Sequence, residues 1–247
     1  MAERTDPAGR LPAVDLNGDV GEGAGWPVGD LELIELVTSV NIACGGHAGD
    51  AETMKVVCAA AAQAGVAVGA HPGYPDRERF GRHETGASTA EIEDLVAGQV
   101  EELIGVAEGL GARVDHVKPH GALYHRCWFD PEAAGAAVTA VAEVAAGAAI
   151  LAPPASELER AARAAGLDSI AEGFVDRAYS AGGLLVPRSS AGATLGREAA
   201  AAQAVALAAG SDLAGGPVRS LCIHGDGDGA ALLARTVVDA LALAGVG

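Results

Sequence analysis

A chain of 247 residues, half of them hydrophobic but only 3% aromatic, is long enough for one large α/β domain whose core must be mostly Ala, Val, Leu and Ile. Its formal net charge of −17, from 16 basic and 33 acidic residues, argues against nucleic acid or an anionic membrane as a partner. Four cysteines without C-x-x-C spacing (Cys44, Cys58, Cys127, Cys222), a polar start from Met1 to Arg10, and a longest apolar tract interrupted by Glu143 argue against a disulfide scaffold, a signal peptide and a membrane span, and point to a cytoplasmic protein with reduced thiols.

Short β-like runs alternate with longer alanine-rich helical runs along the whole chain. Strands are predicted at 13–17, 39–43, 67–70, 113–117, 148–152, 169–172 and 220–224, and helices near 50–63, 89–109, 131–145, 156–165, 195–208 and 229–244. Ser88, with Glu91 three residues on, marks a helix start, and Gly65, Gly111, Gly166 and Gly210 stand where helices should stop. Residues 177–195 read as an irregular, glycine-rich loop. This alternation predicts a parallel sheet covered by helices. Seven strands without a visible linker favour a closed, TIM-like β/α barrel over a doubly wound open sheet. Residues 1–10 are expected to form a flexible tail and 11–247 a single domain.

Polar clusters follow six of the seven predicted strands, and the downstream strand ends are where β/α barrels gather catalytic groups. After the first strand the run is Asp15-Leu-Asn17-Gly-Asp19-Val-Gly-Glu22-Gly, in which Asp15, Asn17 and Asp19 alternate and so share one face. Asn41-Ile-Ala-Cys44-Gly-Gly-His47-Ala-Gly-Asp50 follows the second strand, and Gly69-Ala-His71-Pro-Gly-Tyr74-Pro-Asp76 the third. His116-Val-Lys118-Pro-His120-Gly-Ala-Leu-Tyr124 closes the fourth. Lys118 is one of only two lysines in the chain, and a lysine between histidines suits an anion or a developing oxyanion.

The sixth strand leads to Asp176-Arg177-Ala-Tyr179, where the planar guanidinium suits a carboxylate or phosphate. The seventh leads to His224-Gly-Asp226-Gly-Asp228, a weak match to a dinucleotide fingerprint with no room for a following βαβ unit. No Walker A sequence occurs. No metal site is firmly predicted; if a divalent ion is present, Asp19, His47 and His120 are its expected ligands. Cys44 is read as a buried hydrophobe before a nucleophile, and the other three cysteines as structural.

The motifs after strands one to four resemble the LamB/YcsF family, also called the A subunit of 5-oxoprolinase. Gly173-Phe-Val-Asp-Arg-Ala-Tyr, Gly183-Leu-Leu-Val-Pro-Arg and Cys222-Ile-His-Gly-Asp are similar to its pattern too, and the resemblance runs in order from about Ala13 to Gly245. Gly18 and Val20 depart from it, standing where the family usually has cysteine and leucine.

The resemblance implies a seven-stranded barrel like those of glycoside hydrolases and deacetylases. It also implies hydrolysis of 5-oxo-L-proline (pyroglutamate) to L-glutamate coupled to ATP hydrolysis, with two further subunits, B and C. ATP is then a co-substrate that a partner subunit can bind. Asp19, His71, Lys118 and His120 are the expected catalytic groups. Substrate contacts are expected from Asp15, Asn17, Glu22, Asn41 and His47 in the first half of the chain, and from Tyr74, Asp176, Arg177, His224 and Asp226 beyond it. Two other activities fit the same residues: a metal-dependent hydrolase of amides or N-acetyl sugars, and a non-catalytic subunit that binds a small lactam or sugar.

Overall fold

The computed structural model describes residues 14–23, 28–225 and 229–246. Seven parallel strands form a closed barrel in chain order: β1 (Asp15–Val20), β2 (Ser39–Ala43), β3 (Ala67–His71), β4 (Val114–Val117), β5 (Ala149–Ala152), β6 (Ser169–Phe174) and β7 (Ser220–Ile223). The last strand returns to the first through the register Asp15↔Ser220 to Gly18↔Ile223, so none of the seven is left as an edge. Around them run α1 (Val28–Ile34), α2 (Ala51–Ala64), α3 (Thr89–Gly109), α4 (Gly121–Phe129), α5 (Pro131–Val144), α6 (Glu157–Ala164), α7 (Arg197–Ala208) and α8 (Ala230–Leu243). No helix among the described residues is long and apolar enough to cross a membrane.

Local chemistry sets most helix boundaries. Ser88 and Glu91 form a reciprocal capping box at the start of α3, satisfying backbone N–H groups that have no partner within the helix. Asp50 caps α2 by accepting from Thr53 N at 2.8 Å, and Asp130 caps α5, with Pro131 in its first turn. Gly65, Gly111, Gly166 and Gly210 each take a positive φ, ending their helices as the sequence suggested.

Two helices were not foreseen. α1 has seven residues, and α4 starts at Gly121 directly from the fourth motif, with no side-chain cap on His120. β1 also runs further than predicted, to Val20, because its alternating polar residues point inward and do not mark a strand end.

The polarity of the barrel follows that alternation. Leu16, Val40, Ile42, Val68, Val117 and Leu221 belong to one large apolar cluster with Leu33, Val57, Leu103 and Leu207 from the surrounding helices. Truncating a residue such as Leu103 to alanine in this layer costs about 2–5 kcal/mol. The alternate positions fill the lumen with hydrogen-bonded polar groups. Asn17 Nδ2 donates to Ser220 Oγ at 2.7 Å and Glu172 Oε1 at 3.0 Å, and Asn41 Nδ2 donates to Asn17 Oδ1 at 2.7 Å and Asp19 Oδ1 at 2.8 Å. Gly18 is on the outer phase, where a Cβ would sit 3.0 Å from Leu33 Cδ2, so its departure from the family pattern concerns packing against α1 and not the lumen.

Candidate functional site

A cleft of about 430 Å³ opens above the lumen at the downstream strand ends. Its floor carries Asp19, His71, Lys118, His120 and His224, and Tyr124, Trp128 and Phe174 form an aromatic wall. The fourth motif reaches this place through backbone pairing that continues past β4. Lys118 N donates to Ala70 O at 2.9 Å and His120 N to Pro72 O at 2.8 Å, which brings both residues beside His71.

Lys118 is 2% exposed, and its ammonium is surrounded by acceptors. Nζ lies 2.9 Å from Asp19 Oδ1, 3.0 Å from Glu172 Oε1, 2.9 Å from Cys222 Sγ and 3.3 Å from Asn17 Oδ1, with the Phe174 ring centroid at 5.3 Å. Burial disfavours its charge, but Asp19, Cys222 and Glu172 outweigh that and hold the ammonium well above its ordinary value. Asp19 is the reciprocal case: burial opposes ionisation, yet Lys118 and then His71 hold its carboxyl far below the usual carboxylate range. The floor thus presents a fixed cation between two carboxylates.

Beside it stands a group of histidines ordered by backbone carbonyls. His71 Nδ1 donates to Lys118 O at 2.6 Å, and His120 Nε2 donates to Phe80 O at 2.9 Å. Carbonyl oxygens only accept, so these contacts fix both tautomers. Phe80 offers its carbonyl from a left-handed backbone conformation, φ 57°, unusual for a bulky residue. His47 stacks on His120 with ring centroids 3.6 Å apart and sets Nε2 2.9 Å from Glu22 Oε1. Next to Glu22, Gly21 N donates to Asp30 Oδ2 of α1 at 2.9 Å, which fixes the loop that carries it. Glu22, His47, His71 and His120 offer four donor atoms within 4.8 Å of one another, and Asp19, Cys222 and His224 form a second such set.

The expected residues fall into four groups. Asp19, His71, Lys118, His120, Arg177 and His224 line the cleft. Asp176 stands behind His224, accepting from its Nδ1 at 2.9 Å, while Asn17, Asn41, Glu22 and His47 sit beneath or beside the floor. Asp15 lies at the opposite end of β1 and accepts from Ser39 Oγ at 2.8 Å, Thr38 Oγ1 at 2.6 Å and Ser220, so it braces the barrel bottom away from any ligand in the cleft. Tyr74 is fully buried with its hydroxyl 3.0 Å from Glu84 Oε1 and turned towards Arg126, which takes it away from the histidines. Asp226 lies outside the described residues.

The expected metal ligands are also regrouped, since Asp19 pairs with Lys118 and His71 joins His120 beside Glu22. Arg177 donates to Val186 O at 2.7 Å and Ala193 O at 3.3 Å, so its guanidinium is partly committed to the 177–195 loop. Cys44 is buried and donates to Ile42 O at 3.0 Å; burial pushes its thiol up to about 12, which removes it as a nucleophile at neutral pH.

Sequence reading missed Glu172 and Cys222, both in contact with Lys118, together with Tyr124, whose hydroxyl donates to Glu172 Oε2 at 2.9 Å. The period-2 phase of β6 and β7, which groups Glu172 with Phe174 and Cys222 with Ser220, is the signal that could have found the first two.

The model of the LamB/YcsF family matches residues 14–247. A protein of Nocardia farcinica, named as the A subunit of 5-oxoprolinase, is 47% identical over 242 residues, covering 94% of this chain and 97% of its own. One of the same name from Methylococcus capsulatus is 43% identical over 243 residues, with 94% of each chain covered. Among solved structures, the lactam utilization protein of Thermus thermophilus superposes with a TM-score of 0.85 at 40% identity, covering 95% of this chain and 98% of that one. A family 4 carbohydrate esterase from Streptomyces lividans shares the fold alone, with a TM-score of 0.50 at 12% identity over 95% of this chain and 90% of its own.

Proposed function

We propose, from the premise that this chain belongs to the LamB/YcsF family, that it is the A subunit of an ATP-dependent 5-oxoprolinase converting 5-oxo-L-proline to L-glutamate with two partner subunits, B and C. The observation that carries the reading is Lys118, a buried ammonium held on the floor of an aromatic-walled cleft beside two tautomer-fixed histidines. The cleft, at about 430 Å³, falls within the range of small-molecule sites.

A five-membered lactam is a stable amide, so phosphorylation of its carbonyl oxygen supplies the drive for opening it. Water then adds to the activated carbon, and a proton delivered to the ring nitrogen accompanies cleavage of the C–N bond. The γ-acyl phosphate that remains is hydrolysed by a second water to glutamate and phosphate. In this scheme Lys118 faces the carboxylate or phosphoryl oxygens, with Arg177 at the rim. Asp19, His71 and His120 hold the attacking water, since His71 Nε2 and His120 Nδ1 keep lone pairs once their other nitrogens are committed to carbonyls. The chain carries no Walker A sequence, which accords with ATP being held by one of the partners.

The test is co-purification with the products of neighbouring genes, followed by assay of glutamate formation from 5-oxoproline with and without ATP. Wild type is expected to be active only with ATP and the assembled subunits. Lys118→Ala and Glu172→Gln, each checked for folding by its thermal midpoint, are expected to lose this activity. Near-normal turnover by a folded Lys118→Ala variant would sink the assignment. Amide or N-acetyl hydrolysis by the isolated chain without ATP would favour the metal-dependent hydrolase instead.

A further inference from the structure

The contact between His71 Nε2 and His120 Nδ1, 3.0 Å apart, has no proton to account for it when both rings are neutral. The proton of His71 is on Nδ1, given to the Lys118 carbonyl, and that of His120 is on Nε2, given to the Phe80 carbonyl. The two nitrogens therefore face each other with lone pairs. Glu22 Oε1 joins them, 3.2 Å from His120 Nδ1 and 3.7 Å from His71 Nε2. Three electron-rich atoms buried this closely repel one another unless positive charge sits between them. Lys118 does not supply it, because its ammonium lies against Asp19, Glu172, Asn17 and Cys222 and not against these three atoms.

We propose that Glu22, His71 and His120 form a two-histidine, one-carboxylate site for a divalent transition metal of the zinc class, with its open side towards the cleft. Bonds of about 2.0–2.1 Å in a tetrahedron separate ligand atoms by about 3.3 Å, and the three measured distances scatter around that edge length. Nitrogen and carboxylate donors without thiolate suit such ions.

The surroundings are those of a ligand set. Each of the two histidines gives its outer N–H to a backbone carbonyl, the arrangement that orients imidazole ligands. His47 lacks one, for its Nδ1 has no partner, so it is assigned as the group that donates Nε2–H to Glu22 and aims the carboxylate. His71 and His120 line the cleft whereas Glu22 and His47 do not, which leaves the fourth coordination position facing the cleft. This set differs from the Asp19, His47, His120 set expected from the sequence: Asp19 Oδ1 pairs with Lys118 and Asp19 Oδ2 reaches His71 Nε2 alone, at 3.6 Å, whereas Glu22 Oε1 lies near both rings.

The site is independent of the substrate. Only its use in hydrolysis rests on the 5-oxoprolinase reading: an ion bound here would take up the lone pairs of His71 and His120 and would hold the attacking water in their place.

The test uses the full chain without substrate, ATP or partners, so it can fail or succeed apart from that reading. Chelator-treated protein is titrated with Zn²⁺ by calorimetry and with Co²⁺ by visible absorption, with thermal midpoints recorded alongside. Wild type is expected to bind one ion per chain, to give the intense d–d bands of low-coordinate cobalt, and to melt at higher temperature with Zn²⁺. Glu22→Ala and His120→Ala are expected to lose the cobalt bands, and His47→Gln to weaken binding about 10–100-fold while keeping them. Wild type that binds neither ion overturns the proposal and leaves the charge between the rings to a proton. Undiminished binding by folded Glu22→Ala and His120→Ala overturns it too, moving the ion to other donors such as Asp19, Cys222 and His224.

Discussion

Gly69 of β3 and His116 of β4 occupy one place in the barrel lumen: a Cβ on Gly69 would lie 2.0 Å from His116 Nε2. The two residues are register partners, and the β3–β4 pairing shifts between Val68 and Gly69, where the ring enters. Gly69→Ala is therefore expected to force the imidazole from its site and to cost about 1–3 kcal/mol or more, read from urea denaturation. His116→Ala alone is destabilising as well, but in the double variant the clash is gone. The losses should be less than additive by about 0.5–3 kcal/mol. Strict additivity would show that the two positions do not compete for the same space.

The same histidine makes a pH prediction. His116 donates Nε2–H to Asn41 Oδ1 at 2.9 Å, and burial pushes its pKa down to about 4 against the raising influence of Asp15. Its folded pKa lies below its unfolded one, so between roughly pH 4 and pH 6.5 the unfolded chain binds the extra proton. The contribution to stability is complete above that window and is lost as pH falls through it. His47 and His71, also lowered mainly by burial, act in the same direction. Urea midpoints measured at pH 7.5 and pH 5 should fall with acid in wild type and fall less in His116→Gln. An equal fall in both would remove His116 as a contributor.

Sequence legibility divides along physical lines. The β/α alternation was readable because strands and helices differ in period and because Ser88, Asp50 and Gly65 are local signals acting within their own turns. The extent of β1 was not, since Asp15, Asn17 and Asp19 look like a solvated strand end unless the lumen is known to be polar. Strand ends pointed to the cleft and to the convergence of Asp19, His71, Lys118 and His120. They could not show that Glu172 and Cys222 complete the Lys118 shell, because those contacts span more than fifty residues and depend on barrel closure. Nor could spacing reveal that Asp15 braces the far end or that Tyr74 turns to Glu84, as both depend on which neighbour reaches the side chain first.

Lys118 also offers a stability test. Removing its ammonium leaves Asp19 and Glu172 as buried carboxylates facing each other across the vacated position. Breaking a buried ion pair from one side costs about 3–5 kcal/mol, more than the pair itself contributes. Lys118→Met, which keeps most of the side-chain volume, is expected to lose stability in that range at pH 7. Adding Asp19→Asn should restore part of it by removing one unpaired charge. Differential scanning calorimetry of the single and double variants decides the matter, and a double variant no more stable than Lys118→Met would show that lost packing, not charge, is responsible.

Arg177 yields a prediction about the cleft rim. Its guanidinium donates to Val186 O at 2.7 Å and Ala193 O at 3.3 Å, and backbone bridges join Arg177 to Thr194 and Tyr179 to Leu185. Leu185, Val186 and Pro187 from this loop line the cleft, so the planar fork holds a wall of the site as well as facing its opening. Burial, and then the nearby Arg188, push the guanidinium below its ordinary value, yet it stays charged at neutral pH because the starting value is so high. A lysine here retains the positive charge but cannot reach two carbonyls with one rigid fork. Arg177→Lys should leave the unfolding free energy within about 1 kcal/mol of wild type. It should nonetheless raise the rate of proteolytic cleavage between residues 180 and 193 and, under the proposed 5-oxoprolinase activity, raise KM for 5-oxoproline more than it lowers kcat. Limited proteolysis read by mass spectrometry measures the first effect directly, and an unchanged cleavage rate would show that the loop keeps its place without the Arg177 fork.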